Sequence, residues 1–242
     1  MAYQTVFKRY ELKYMLTLEQ KEKVLKAMEP YMALDQYGHT TIRNIYFDTD
    51  NYRLIRHSIE KPTYKEKLRI RSYSRANPDS PVYVELKKKY KHVVYKRRVV
   101  MPEIKAMEWM CGRHHVHQRT QISEEIEYFM DFYKTLHPTI FLSYERDAYY
   151  SKDGRDFRVT FDDNILCRQY NLSLGSQVGG VPILDEGKVL MEIKCSGGIP
   201  LWMTHVLSKE HIYKTSFSKY GTAYQIIIYP KLKEEQEHGN II

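Results

Sequence analysis

The chain has 242 residues and carries 38 Lys and Arg against 30 Asp and Glu, a formal net charge of +8. Its 22 Tyr, 8 Phe and 2 Trp supply enough aromatic area for a sizeable core, which excludes a chain that is disordered throughout. No segment approaches the roughly 18 consecutive apolar residues of a membrane-spanning helix, and residues 1–10 lack the apolar stretch of a secretory signal. We therefore expect a cytoplasmic protein with a single domain over residues 1–230 and a polar, frayed tail over residues 231–242.

Four helices are predicted from apolar residues at helical spacing. The first follows Thr17, because Thr17 and Gln20 form a capping-box pattern ahead of a periodic segment that ends near residue 32. The second opens with Pro102, a residue that suits the first turn of a helix. In chain order the four helices are predicted after Thr17 and at residues 102–110, 123–136 and 200–210.

Strands are predicted where apolar and polar residues alternate between turn residues. The eight candidates are residues 7–15, 40–48, 65–73, 82–89, 93–101, 140–149, 157–162 and 189–195. Asn77-Pro78-Asp79 and the segment 151–154 are turn signals and predict two hairpins. So many strands favour a sheet that is large enough to curl or to close into a barrel.

The polar faces of these strands are unusually rich in bases. Residues two apart on a strand share a face, and six such rows are Arg9, Glu11 and Lys13; Lys67, Arg69 and Arg71; Glu85, Lys87 and Lys89; Lys96 and Arg98; Arg158, Thr160 and Asp162; and Glu192 and Lys194. Taken singly, each row is most simply the solvent face of an antiparallel sheet. Taken together, the rows favour a barrel whose charged faces point inward and whose apolar faces are covered by helices.

An inward-facing set of cations has a chemical implication. Unpaired buried cations cost several kcal/mol each, so such an interior requires an anion of high charge density. The carboxylates of Glu11, Glu85 and Glu192 can be salt-bridge partners of the bases, or they can hold a Mg²⁺ or Mn²⁺ ion together with phosphate oxygens. Bases, a metal ion and an in-line oxygen nucleophile suffice for phosphoryl transfer. The glycine-rich phosphate loops GxxxxGK[ST] and GxGxxG are absent.

An ordered series of short motifs resembles one family. The motifs are Arg9-Tyr-Glu-Leu-Lys-Tyr14, Ile45-Tyr-Phe-Asp48, Lys67-Leu-Arg-Ile-Arg-Ser-Tyr73, Val84-Glu-Leu-Lys87, Val94-Tyr-Lys-Arg-Arg98, Tyr144-Glu-Arg-Asp-Ala-Tyr149, Phe157-Arg-Val-Thr-Phe-Asp162, Leu190-Met-Glu-Ile-Lys194 and Ser216-Phe-Ser-Lys-Tyr-Gly221. They come in the order found in the VTC-type polyphosphate polymerase domain, the catalytic domain of the vacuolar transporter chaperone complex, which has stand-alone bacterial relatives. This domain is a triphosphate tunnel metalloenzyme. The resemblance spans about residues 7–225.

The resemblance implies an α+β fold, namely a closed antiparallel β-barrel or tunnel of about eight strands with helices packed on the outside. It also implies an enzyme that transfers the γ-phosphate of ATP to a growing inorganic polyphosphate chain. Its implied catalytic residues are Lys13, Arg69, Arg71 and Lys219. Its implied substrate-binding residues are Arg9, Lys87, Lys96, Arg98, Arg146, Arg158 and Lys194. Glu192, with Glu11 and Glu85 as further candidates, would hold Mn²⁺ or Mg²⁺.

Two departures from family patterns bear on the activity. Hydrolases of the superfamily open with Glu-x-Glu-x-Lys, whereas this chain has Arg9 at the first position, which disfavours a metal-bound water and favours phosphate binding. Family members often carry Lys-Phe-Ser-Lys near the C-terminal end, whereas this chain has Ser216 at the first position, so the tunnel mouth has one cation fewer.

Two rival functions remain open. The first is a hydrolase of the same fold that cleaves tripolyphosphate or a nucleoside triphosphate. The second is a non-catalytic binder of polyphosphate or nucleic acid, but a groove for single strands needs aromatic residues interleaved with the bases on one face. For the polymerase we expect ATP and polyphosphate as partners, with no role for nucleic acid. A membrane-protein partner and a position at the membrane periphery are compatible with the resemblance, and the oligomeric state is left open.

Overall fold

A computed structural model describes residues 10–91, 93–112 and 119–239. The strands are β1 Tyr10–Thr17, β2 Met32–Asp48, β3 Tyr64–Ser72, β4 Pro81–Tyr90, β5 Val93–Pro102, β6 His137–Ser151, β7 Phe157–Arg168, β8 Val181–Pro182, β9 Lys188–Cys195 and β10 Lys214–Thr215. The helices are α1 Leu18–Met28, α2 Arg53–Ile59, α3 Glu103–Gly112, α4 Gln121–Tyr133, α5 Leu201–Lys209, α6 Lys219–Ala223 and α7 Tyr229–Gly239, with a π-helical turn at Tyr224–Ile228 before α7. No described helix is long and apolar enough to cross a membrane.

All these strands belong to one sheet, in which neighbouring strands run antiparallel. Its order is β10-β1-β9-β7-β6-β2-β3-β4-β5, and β8 pairs with β7. The predicted α+β class and both predicted hairpins, β3 with β4 and β6 with β7, are therefore confirmed. Within the described residues the backbone ladder ends at β10 on one side and at β5 on the other. Closure of the sheet into a complete barrel stays a prediction.

The outer face of the sheet carries two apolar cores under helices. Residues of β1, β7 and β9 pack with α1 and α5, whose buried side chains include Val24 and Met203. Residues of β2, β3 and β4 pack with α3 and α4, whose buried side chains include Trp109 and Phe129. Because these strand residues alternate with the charged rows, burying them outward turns the charged rows inward.

The inner face is only partly charged. Ile42, Ile140, Leu142 and Leu190 form a third core with α2, α6 and the π-helical turn, which together fill part of the interior. The sequence analysis predicted a barrel whose inward faces are charged, and this expectation is wrong for that part of the interior. The rest of the inner face carries the charged rows. We call the space that these rows line the chamber, and it lies next to the third apolar core.

Several boundaries differ from the prediction. Helix α1 ends at Met28, because Met32 already belongs to β2. Helices α2 and α6 were not predicted, since each has only five to seven residues and no apolar period long enough to detect. The segment expected to be a frayed tail is helical through Gly239 as α7.

Candidate active site on the inner face of the sheet

The first part of the chamber is built around Glu85 of β4, whose side chain is 1% exposed. Arg69 of β3 stands directly opposite in register and donates to Glu85 Oε2 from Nε at 2.9 Å and from Nη2 at 2.7 Å. Lys96 of β5 pairs with Oε1 of the same carboxylate. Burial alone would raise the pKa of Glu85, but the charges of Arg69, Arg71 and Lys96 outweigh it and hold the pKa well below its usual range.

Two tyrosines and an asparagine orient the arginines of β3. Tyr46 accepts a hydrogen bond from Arg69 Nη1 at 2.8 Å. Arg71 donates from Nε to Asn44 Oδ1 and from Nη2 to the hydroxyl of Tyr144, both at 2.9 Å. Each guanidinium group therefore has hydrogen-bond acceptors for more than one of its nitrogen atoms, which fixes its orientation. Anion binding is stronger when the donors are oriented in advance.

The second part of the chamber is built around two carboxylates on neighbouring strands, Asp162 of β7 and Glu192 of β9. Arg146 of β6 makes a bidentate pair with Asp162, with Nε–Oδ1 at 2.6 Å and Nη2–Oδ2 at 2.7 Å. Lys219, the first residue of α6, places Nζ 2.5 Å from Asp162 Oδ2 and 3.4 Å from Glu192 Oε1. Burial would raise the pKa of both carboxyl groups, yet the adjacent cations lower it, so both are ionised.

The third part lies between β1, β3 and β4. Lys13 donates to the carbonyl oxygen of Phe217 at 2.8 Å and lies 3.6 Å from Glu11 and 3.5 Å from Glu192. Lys87 pairs with the other oxygen of Glu11 at 3.1 Å. The opposite charge of Lys87 is the main reason why the pKa of Glu11 lies far below its usual range.

Lys67 differs from the other bases of this third part. Its Nζ donates to Ser218 Oγ at 2.8 Å, and it makes no ion pair with any described residue. Burial lowers the pKa of Lys67 strongly, and the charges of Lys13, Lys87, Lys65 and Arg69 lower it further. A half-buried amine among bases, with no described carboxylate beside it, suits an anion from outside the chain, which would favour its protonated form.

The remaining predicted residues lie at the rim. Arg158 shares the inward face with Asp162 but is exposed at the strand end, opposite Lys194 in register. Lys194 pairs with Glu192 at 3.3 Å. Arg98 lies over the ring of Tyr83, with Cζ 5.2 Å from the ring centroid. Arg9 lies outside the described residues.

The three candidate metal-binding glutamates differ in their surroundings. Among the described residues, no group of three or more His, Cys, Asp and Glu side chains is arranged to hold a metal ion. Glu85 pairs with Arg69, Arg71 and Lys96, and none of these bases pairs with a second described carboxylate, so Glu85 does not fit a shared metal site. Glu11 and Glu192 lie close together, because Lys13 pairs with both. Lys87 also pairs with Glu11, and Arg146, Lys194 and Lys219 also pair with Glu192. The buried Thr160 Oγ1, opposite Glu192 in register, has no hydrogen-bond partner among the described residues. A metal ion held by these two carboxylates would displace amines from them and would take its other ligands from phosphate oxygens.

Sequence reasoning missed several residues that hold this chamber together. Asp162 lay in a charged row but was not proposed as a site residue, although it anchors both Arg146 and Lys219. Lys67 shared the row of Arg69 and Arg71, and that spacing was the available signal. The partners without such a signal are Asn44, Tyr46, Tyr144 and Ser218, because neutral polar residues on a strand show no preference for a charged face.

An antiparallel sheet curled around a cation-rich chamber, with helices on its outer face, defines the class of triphosphate tunnel folds. The family model described as the VTC domain matches residues 8–228, nearly the whole chain. The protein therefore belongs to the VTC domain family, and the resemblance found in its motifs is confirmed. No curated protein matches the chain.

Solved structures of similar fold have low sequence identity. A putative adenylate cyclase from Bacillus halodurans is 14% identical, with 89% of this chain and 96% of that chain covered and a TM-score of 0.55. A putative adenylate cyclase from Vibrio parahaemolyticus is 10% identical, with 91% and 99% covered and a TM-score of 0.48. A putative adenylyl cyclase from Hippeastrum, described as having a dominant triphosphatase activity, is 14% identical, with 88% and 93% covered and a TM-score of 0.49. At such identities the likeness concerns the fold alone.

Proposed function

We propose that this protein is a polyphosphate polymerase, which transfers the γ-phosphate of ATP to the end of an inorganic polyphosphate chain. The observation that carries the proposal is that the chamber's acids are paired with bases: Asp162 with Arg146 and Lys219, Glu192 with Lys219, and Glu85 with Arg69. Asp162 and Glu192 are held ionised by Arg146 and Lys219, and Glu85 is held ionised by Arg69. A carboxylate bound in this way is a poor general base.

This observation bears on whether the acceptor of the γ-phosphate is a phosphate oxygen or water. Water must lose a proton as it attacks, so a hydrolase needs a base or an activated water. A terminal phosphate oxygen of a polyphosphate chain is already ionised and needs neither. The acids of the chamber therefore favour a phosphate acceptor, and Arg9 at the position where hydrolases have Glu supports the same choice.

The transfer itself needs positioning and charge neutralisation. The bond between the γ-phosphorus and the bridging oxygen of ATP breaks, ADP leaves with that electron pair, and the terminal oxygen of the chain forms the new P–O bond. In this proposal Arg69, Arg71 and Arg146 bind phosphate oxygens, and Lys219 lies near the transferred group. Lys13 and Lys67 bind the phosphates on the β1 side, and Lys87, Lys96, Arg98, Arg158, Lys194 and Arg9 continue the binding path toward the rims.

A divalent cation, Mn²⁺ or Mg²⁺, would be held by Glu192 and Glu11, and when bound it would neutralise phosphate charge. The chain's own contribution there is to present two ionised carboxylates beside the unpaired hydroxyl of Thr160. Closure of the two sheet ends around the substrate completes the proposed tunnel. The use of ATP fits a cytoplasmic location.

The test is incubation of the purified protein with ATP and Mn²⁺, followed by resolution of polymer on a gel and an assay for orthophosphate. We expect a polymer ladder with one ADP released per phosphate added, and loss of both in Lys219→Met. Lys209→Met, on the exposed side of α5, is the matched control and should keep full activity. Orthophosphate without polymer would assign hydrolysis instead, and intact ATP with tight polyphosphate binding would assign a binder.

A further inference from the structure

A groove opens between α2, the start of β3 and α4. Its volume is about 480 Å³, which lies within the range of small-molecule sites. Its lining includes the side chains of Arg53, Lys65, Glu66, Tyr128, Phe132 and Tyr133. None of these residues has a role in the phosphoryl transfer described above.

The groove has an exposed aromatic surface. Tyr128 is 70% exposed and Phe132 is 57% exposed. Their ring centroids lie 6.5 Å apart with an angle of 27° between the planes, so two exposed rings of similar orientation line the groove. Tyr133 packs edge-on against Phe132 at 4.9 Å, and its hydroxyl donates to Glu66 Oε2 at 3.0 Å. Tyr133 therefore holds Phe132 in place, and the exposed rings of Tyr128 and Phe132 offer area on which a planar ligand can stack.

Positive charge lies on both sides of the aromatic face. The guanidinium of Arg53 lies 5.6 Å from the ring centroid of Tyr133 and makes no ion pair with a described residue. Lys65 is the residue two before Lys67 on β3, so it belongs to the same inward row, and its Nζ donates to the carbonyl oxygen of Ser58 on α2. Because Lys65 lines the groove and shares one face of β3 with Lys67 of the chamber, the groove adjoins the chamber at this end of the strand.

We propose that this groove binds the nucleoside part of ATP, with the base stacked on Tyr128 and Phe132 while the triphosphate passes Lys65 into the chamber. ATP has a planar base and a polyanionic triphosphate. The exposed rings of Tyr128 and Phe132 suit the base, and Lys65 and Lys67 suit the triphosphate. The inference deepens the proposed polymerase function and rests on it for the identity of the nucleotide. Inorganic polyphosphate, which has no base, would pass the groove without using it.

The test compares two ligands that differ in the nucleoside. Binding of ATP and of tripolyphosphate is measured by titration calorimetry for the Tyr128→Ala/Phe132→Ala double variant and for Tyr170→Ala. Tyr170 is 69% exposed and lies outside the groove, so it matches Tyr128 in exposure. We expect the double variant to lose about tenfold in affinity for ATP and to keep its affinity for tripolyphosphate. Tyr170→Ala should change neither.

Unchanged ATP affinity in the double variant would overturn the inference, and so would an equal loss for both ligands. A dimer of the wild type that dissociates in the double variant, with ATP affinity unchanged, would assign the surface to a second copy of the chain and would also overturn it. The calorimetry measures binding and not turnover. If the activity assay gave no polymer, the polymerase proposal would fail, but the binding data would still show whether the groove holds the nucleoside.

Discussion

The bases of the chamber fall into two groups, which sequence reasoning treated as one. Arg69, Arg146 and Lys219 are paired with buried carboxylates, whereas Lys67 bonds only to a serine hydroxyl. The sequence analysis left open whether the carboxylates are salt-bridge partners of these bases. In the paired group they are, so removing one base leaves a buried carboxylate with less compensation.

Replacing a base by methionine should have opposite effects on stability in the two groups, and Arg69 and Lys67 on β3 allow the comparison within one strand. Arg69→Met should lower the free energy of unfolding by about 3 kcal/mol, because it removes the guanidinium that donates two hydrogen bonds to the buried Glu85. Lys67→Met should leave the free energy of unfolding unchanged or raise it, because it removes a half-buried amine that pairs with no described carboxylate and lies among other bases. Both variants should bind tripolyphosphate at least tenfold more weakly. Urea unfolding and calorimetry of both variants check this, and equal destabilisation by the two would refute the division into groups.

Lys96 predicts a pH dependence of anion binding. Burial lowers the pKa of Lys96 to about 7 from its usual 10.5, although Glu85 opposes the shift. The side chain therefore loses its charge as the pH rises through about 7, and affinity for tripolyphosphate should fall over that range. Between pH 7 and 10.5 the unfolded chain binds more protons than the folded one, so the contribution of Lys96 to stability rises with pH.

The Lys96→Arg variant isolates this effect, because arginine stays protonated throughout the range. Tripolyphosphate affinity is measured for both proteins from pH 6 to pH 8.5, and the ratio of the two affinities removes the ligand's own ionisation. We expect the wild type to weaken relative to Lys96→Arg as the pH rises. A constant ratio would show that Lys96 does not titrate there.

Among the elements, long strands could be predicted from sequence and short helices could not. The rows on β3, β4 and β9 repeat over enough residues to reveal a face, and their inward direction followed from their shared charge. Helix α2 depends instead on a distant side chain, because Asp48 of β2 accepts hydrogen bonds from the backbone N–H groups of Leu54 and Ile55 at 2.8 and 3.0 Å. Such a cap is tertiary, and no local pattern encodes it.

The same aspartate connects α2 to the lysine of the site. The hydroxyl of Tyr220 donates to Asp48 Oδ2 at 2.9 Å, and its ring stacks on Tyr46 with centroids 4.8 Å apart. Tyr46 in turn accepts from Arg69, and Tyr220 follows Lys219 directly in α6. This network could not be read from the sequence, since its members come from three elements that have no charge pattern in common.

We expect Tyr220→Phe to lower kcat of the proposed reaction about tenfold and to change KM less, because α6 and Lys219 lose one of their anchors. Stability should fall by about 1 kcal/mol, since Asp48 keeps its backbone donors. Tyr224→Phe is the matched control, because Tyr224 is also buried but its hydroxyl makes no hydrogen bond to a described residue. Steady-state kinetics on both variants check this, and equal effects would argue against a positioning role for Tyr220.

At the scale of the whole molecule, side chains connect the two halves of the sheet within the part of the chain that the structure describes. Lys87 of β4 reaches Glu11 of β1, and Lys67 of β3 reaches Ser218 just before α6. The chain has a net charge of +8, so repulsion between its bases opposes these contacts. An anion that occupies the chamber would bind both sides of this junction and oppose the mutual repulsion of the bases.

Binding to the native state alone raises the melting temperature, so polyanions should stabilise the protein in order of their length. We expect the rise in Tm to grow from orthophosphate through pyrophosphate to tripolyphosphate at equal concentration, because a longer anion contacts more of the chamber's cations at once. The rise should shrink at high salt, where the exposed part of the attraction is screened. Thermal unfolding with sulfate at matched ionic strength is the control. Equal stabilisation by sulfate and tripolyphosphate would mean that the anions act on the surface charge as a whole, not inside the chamber.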